Sequence, residues 1–131
     1  MFSHVFMGVT DFERAFAFYQ PVMAALGLEL RFKENSKPWA AWHGPGGGRP
    51  FFVISHPFDG LAHEPGNGQM VAFVSATRGQ VRSAYLAALA AGATCEGPPG
   101  LRPEYHPHYY GAYFRDPDGN KLAIACHNST E

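Results

Sequence analysis

The chain has 131 residues, with 10 Lys+Arg against 11 Asp+Glu and a formal charge of -1. It is 46% hydrophobic and 15% aromatic but only 16% charged. This excludes a disordered chain and a nucleic-acid binder, which needs a basic stripe to neutralise phosphates. No run approaches the roughly 18 apolar residues of a membrane helix. What stands out is few charges beside 11 Phe and 7 His. Such a chain has a core and a second apolar surface, such as a pocket, to bury.

Taken in order, His4 to Val9 is a short apolar run that predicts a strand. Thr10-Asp11-Phe12-Glu13 reads as a capping box, with Thr10 as the cap and Glu13 reaching back. The helix after it carries Phe12, Phe16, Tyr19, Met23 and Leu26 on one face. Pro21 predicts a kink or break near Tyr19. Gly27 supplies a left-handed stop. Leu28 to Lys33 alternates, which predicts Leu28, Leu30 and Phe32 buried and Glu29, Arg31 and Lys33 wet. Pro38 to His43 is the next strand, with Trp39 and Trp42 on opposite faces. A Gly/Pro turn over 44–48 leads into the strand Phe51 to Ser55. The run Gly44 to Gly48 lacks the Gly-Lys-Ser/Thr ending of a phosphate loop.

A polar connection from His56 to Gln69 follows, in which His56 and His63 read as solvated. Met70 to Ser75 predicts a strand, and Thr77 to Ala91 a helix with Val81, Tyr85, Ala88 and Leu89 on one face. Gly92 stops it, and Ala93 to Glu96 is a short strand. The segment Arg102-Pro103-Glu104-Tyr105-His106-Pro107-His108-Tyr109-Tyr110 is a stiff loop whose aromatic rings have polar ends. His106, Tyr109 and Tyr110 are candidates for a pocket rim. A strand near Tyr109 to Arg115, the turn Asp116-Pro117-Asp118-Gly119 and a strand Leu122 to His127 complete the chain.

The elements thus read βαβββ twice. The helix-stopping Gly27 and Gly92 lie 65 residues apart, and the strands opening at His4 and Met70 start 66 apart. This predicts one α+β domain over 1–131. Its two modules, about 2–60 and 68–128, would form a curved, mixed eight-stranded sheet around a central cavity, with helices on the outer face. The Met-Phe-Ser-His-Val-Phe-Met opening lacks a secretory signature. Cys95 and Cys126 form no paired motif. Both point to a cytoplasmic protein with reduced thiols. No GxSxG, HExxH or CxxC motif is present.

The strand opening with His4, the helix ending Ala24-Ala25-Leu26-Gly27-Leu28, the Val71-Ala72-Phe73 strand and the Asp116-Pro117-Asp118-Gly119-Asn120 turn together resemble the vicinal oxygen chelate superfamily. That group includes glyoxalases, bleomycin-resistance proteins and extradiol dioxygenases. The resemblance covers about residues 2 to 128 and implies the duplicated fold, a small-molecule partner and a homodimer. It also implies a divalent metal held by a His in the first strand, a His or Gln opening the second module and a Glu in the last strand. His4 stands at the first of these positions, Met70 at the second and Ala123 at the third. Met and Ala are not ligands for such an ion, and one imidazole is too few.

The resemblance therefore implies a degenerate metal site and no cofactor, with His4 the one residual candidate ligand. Alternation places His4 with Phe6, Met70 with Ala72, and Ala123 with Ala125, as the lining of a pocket for a small apolar or aromatic molecule. The alternative is a metal-dependent lyase or dioxygenase that uses His4 with Gln69 or His106. A dimer with a filled cavity and no ligand is a third reading.

Overall fold

Helix α1 (Phe12–Ala25) begins one residue later than a Thr10 cap places it. Asp11 is the cap, and its carboxylate accepts the Arg14 backbone N–H at 3.1 Å. Thr10 is drawn elsewhere: its own N–H donates to Asp118 in the other half of the chain at 3.0 Å. Glu13 pairs with Lys33 at 3.4 Å instead of closing a capping box. The helix also runs unbroken through Pro21. Proline removes the donor that would reach the Ala17 carbonyl, a loss that is tolerable where Ala17 and Pro21 are both exposed to solvent.

The computed structural model describes all 131 residues. Strand β1 (His4–Gly8) precedes α1, and β2 (Glu29–Glu34), β3 (Trp39–His43) and β4 (Phe51–Ser55) follow it. The second half repeats the order with β5 (Val71–Val74), α2 (Arg78–Ala90), β6 (Thr94–Leu101), β7 (Tyr110–Arg115) and β8 (Lys121–Cys126). Both helices end alike. Gly27 at φ +74° and Gly92 at φ +111° let Leu28 and Ala93 donate back to Met23 and Ala88, each at 2.9 Å.

The strands form two four-stranded mixed sheets, ordered β1-β4-β3-β2 and β5-β8-β7-β6. No hydrogen-bonded ladder joins them and neither closes into a barrel. In each, the first strand of the module runs parallel to the last and the other pairs are antiparallel. The edge strands depart from the sequence reading. Strand β2 is largely exposed on both faces, Leu30 included, and a register shift between Leu30 and Phe32 breaks the expected alternation. Strand β6 is longer than Ala93 to Glu96, because an edge tolerates Pro98 and Pro99 where a central ladder would not.

One core of 22 buried residues holds the molecule together. It contains Phe18, Tyr19 and Met23 of α1 and Val81, Ala84 and Ala88 of α2. Trp42, Phe52 and Ile54 enter it from the first sheet, and Phe114, Leu122 and Ile124 from the second. The modules are fused through this layer: Phe18 lies 6.4 Å from Phe114, and Phe52 packs edge-on to Phe73 at 5.0 Å. No helix is long and apolar enough to cross a membrane.

Candidate functional site

Period-two alternation sorts each strand into a core side and an open side. In the first sheet Val5 and Met7 face the core while His4, Phe6 and Gly8 take the other side. In the second, Val71, Phe73, Leu122 and Ile124 face the core. Ala72 lies beside Ala123 and Tyr113, and Val74 beside Ala125 and Gly111, in two rows across the open side. Of these, Ala72 and Val74 are exposed, whereas Ala123, Ala125 and Gly111 are buried.

Both sheets turn one face to the same core, so their open faces point away from it. Strand β1 neighbours β4 and no strand of the second sheet. The chain therefore groups Ala72, Ala123 and Ala125, and keeps His4 with Phe6 on a different sheet. His4 is exposed, its Nδ1 2.9 Å from the Ser3 hydroxyl. Met70, just before β5, borders two clefts. One, of about 230 Å³, also meets Phe6, Gln69, Asn120 and Lys121. The other, of about 470 Å³, is walled mostly by apolar side chains such as Phe2, Trp42 and Phe52, and also meets Ala72.

The loop between β6 and β7 folds back over the open side of the second sheet. The Tyr109 ring lies where a side chain on Gly111 would stand, 2.8 Å from that Cβ position. Its hydroxyl is 2.8 Å from that of Tyr113. Burial, and then this bond, push the Tyr113 phenol up to about 12, against the Arg102 charge and the Tyr105 hydroxyl. Tyr110 lies on the core side instead, against α2, with Arg78 and Arg82 over its ring at 5.4 and 5.8 Å. His106 is tied to the end of β8: its Nε2 sits 2.9 Å from His127 Nδ1, and its Nδ1 accepts the His108 N–H at 3.2 Å.

These positions do not fit the divalent metal that the duplicated fold implies. His4 is on one sheet, Ala123 is on the other and Met70 just precedes β5, and neither of the latter carries a ligand atom suited to a hard or borderline ion. No three His, Cys, Asp or Glu side chains are placed to share an ion. Gln69 folds over Gly66, and His106 is engaged with His127.

Sequence reasoning missed a buried strut between the modules. The Asp116–Asn120 turn is not a surface feature: Asp116 and Asn120 are 4% and 5% exposed. The Tyr19 hydroxyl of α1 donates to Asp116. Asn120 Nδ2 donates to Asp116 at 2.9 Å and to the Gly8 carbonyl at 3.0 Å. Since Nδ2 is a donor twice, Oδ1 is the acceptor for His63 Nε2, at 2.6 Å. His63 is thus no solvated loop residue. Its ring covers Gly8, occupying the space a side chain there would need. The Asp-Pro-Asp-Gly-Asn run was the available signal, but its partners lie 97 and 57 residues away.

Comparison with known proteins agrees with this architecture. The family model described as "Glyoxalase/Bleomycin resistance protein/Dioxygenase superfamily" matches residues 1–124. A glyoxalase/bleomycin resistance protein from Albidiferax ferrireducens T118 is 35% identical, with a TM-score of 0.85 over 96% of this chain and 98% of that one. A glyoxalase/bleomycin resistance protein/dioxygenase family enzyme from Burkholderia phytofirmans PsJN is 21% identical, with a TM-score of 0.69 over 95% and 97%. A mutant fosfomycin resistance protein from Listeria monocytogenes, complexed with Mn(II) and 1S,2S-dihydroxypropylphosphonic acid, is 18% identical. Its TM-score is 0.67 over 95% of this chain and 88% of that one, a likeness of fold. No curated protein matches the chain.

Proposed function

This chain belongs to the glyoxalase/bleomycin resistance protein/dioxygenase superfamily, and on that premise we propose that it is a cytoplasmic, metal-independent binding protein for a small apolar or aromatic molecule. The observation that carries the reading is the open side of the second sheet. There Ala72 and Val74 are exposed apolar side chains, Ala123 and Ala125 lie buried beside them, and Met70 and Ala123 stand where the resemblance to the family implies metal ligands. Removing a carboxylate and an imidazole from such a face favours an apolar guest, because no buried polar group is left unpaired by it. Met70 and Ala72 also border the apolar cleft of about 470 Å³.

A second copy of the chain completes the site in this reading. The open sides expose Phe6 at 50%, Met70 at 46% and Val74 at 77%, apolar side chains that a partner or ligand could cover. In a homodimer, the His4–Phe6 face of one protomer and the Ala72–Val74 face of its partner would form opposite walls.

The test is native mass spectrometry of the purified protein with elemental analysis, followed by titration with a fluorescent apolar probe. The reading expects a dimer, no stoichiometric metal and probe binding that a chelator leaves unchanged. A stoichiometric divalent ion whose removal abolishes binding overturns it.

A further inference from the structure

The cleft of about 470 Å³ opens between the two modules. Val5 and Leu28 of the first module and Phe73 of the second stand in its walls, and all three are half-buried, so a guest can reach them. Trp42 and Phe52, both buried, close it on the core side. Among the side chains that line it, only those of Trp42 and His43 contain nitrogen or oxygen. Trp42 is already engaged, its Nε1 donating to Gln20 Oε1 at 2.8 Å.

His43 is not fully engaged. It is 7% exposed at the end of β3, and the glycine-rich turn over 44–48 sets its ring. The Gly44 carbonyl lies 2.7 Å from His43 Nδ1 and also accepts the Gly47 N–H at 3.1 Å. Gly47, at φ +80°, passes close beside the ring, its Cβ position 3.8 Å from His43 Cε1. A carbonyl oxygen only accepts, so Nδ1 carries the ring proton. In the neutral ring Nε2 is then a bare acceptor, and His43 makes no other hydrogen bond within the chain. The cleft thus offers an apolar wall from both modules and one oriented side-chain acceptor.

We propose that the molecule bound by this chain lies in the cleft between the modules and carries a hydroxyl, as a phenol does, that donates to His43 Nε2 while its apolar body rests against Val5, Phe52 and Phe73. This rests on the preceding reading that the chain binds a small apolar molecule, and adds the place and the donor. A guest without a donor would strip water from Nε2 and leave it unpaired, which disfavours that guest. The volume lies within the range of small-molecule sites.

The test is calorimetric titration of the purified protein, at neutral pH, with a naphthol and with its methyl ether, which keeps the rings and lacks the donor. The naphthol is expected to bind about fivefold more tightly, as one net hydrogen bond gives. His43→Phe should remove that preference and leave ether binding unchanged, which also reports that the variant folds. A second measurement needs no variant. In nitrogen NMR of the protein labelled at histidine, naphthol should shift the bare Nε2 resonance of an Nδ1-protonated ring, and the ether should not. Equal binding of naphthol and ether by the parent protein overturns the inference and leaves the apolar-binding reading standing. So does a naphthol preference that survives in His43→Phe, or an unmoved Nε2 resonance. Binding of neither probe, the outcome if a second copy fills the cleft, overturns both.

Discussion

The Tyr19 hydroxyl, on α1, donates a hydrogen bond to the Asp116 carboxylate in the turn before β8, and both side chains are buried. This single contact ties the two modules across 97 residues. Asp116 also accepts the backbone N–H groups of Asp118 and Asn120, each at 2.9 Å, so the acid organises the turn and the module contact at once.

Tyr19→Phe keeps the ring in the core and removes one bond to a charged acceptor. It should cost about 2 kcal/mol, as hydrogen bonds to charged groups do. Asp116→Ala should cost more, roughly 3 kcal/mol or above, because it strands the tyrosine hydroxyl and two backbone donors. Urea denaturation followed by tryptophan fluorescence measures both, and the reverse order of cost would contradict the assigned network.

The same phenol predicts alkaline sensitivity. Burial first, and then the Asp116 charge, raise Tyr19 well above the ordinary tyrosine value. A folded-state value above the unfolded one means that the unfolded chain releases its proton first as pH rises. The contribution of Tyr19 is therefore complete below about pH 10 and is lost progressively above it. The urea midpoint of the parent protein should fall above that pH, and Tyr19→Phe should flatten the slope. An unchanged slope in the variant would place the titrating group elsewhere.

Gly8 and His63 should be coupled. A Cβ at position 8 would fall on the His63 ring, so Gly8→Ala should cost about 1–3 kcal/mol as overpacking does. In a His63→Ala background that penalty should largely vanish, giving an interaction energy of about 1 kcal/mol or more in a double-mutant cycle. Additive costs would show that the ring does not sit over the glycine.

The open side of the second sheet offers a direct handle on assembly and binding. Val74→Asp places a charge on a residue 77% exposed and should leave the urea midpoint nearly unchanged. It should shift native mass from dimer toward monomer. Ala72→Trp should crowd this face and lower affinity for an apolar probe by about tenfold or more, since a blocked pocket cannot bury its guest. A monomeric parent protein, or full probe binding by Ala72→Trp, would remove this face from the site.

Much of the fold was legible locally. Gly27 and Gly92 marked two helix ends because only a left-handed residue lets Leu28 and Ala93 turn back on the last carbonyls. Alternation correctly separated Val71 and Phe73 from Ala72, since a strand cannot reverse its facing without a shift in register. It failed at β2, where a bulge supplied that shift at an edge. The cap moved from Thr10 to Asp11 because Thr10 found Asp118, a partner no local pattern contains.

The amino-acid sequence by itself determined a duplicated βαβββ chain and the faces of its central strands. Those are consequences of spacing and side-chain chemistry within short segments. Only the tertiary structure decided that both sheets share one core through α1 and α2, which separates His4 from Ala123 within the chain. It also decided that His63 and Asn120 form a strut, and that the 102–109 loop lays Tyr109 on the open face but leaves Tyr110 against α2. Each of these depends on shape and hydrogen-bonding groups brought together from distant segments, and periodicity carries no information about which distant partner a side chain will meet.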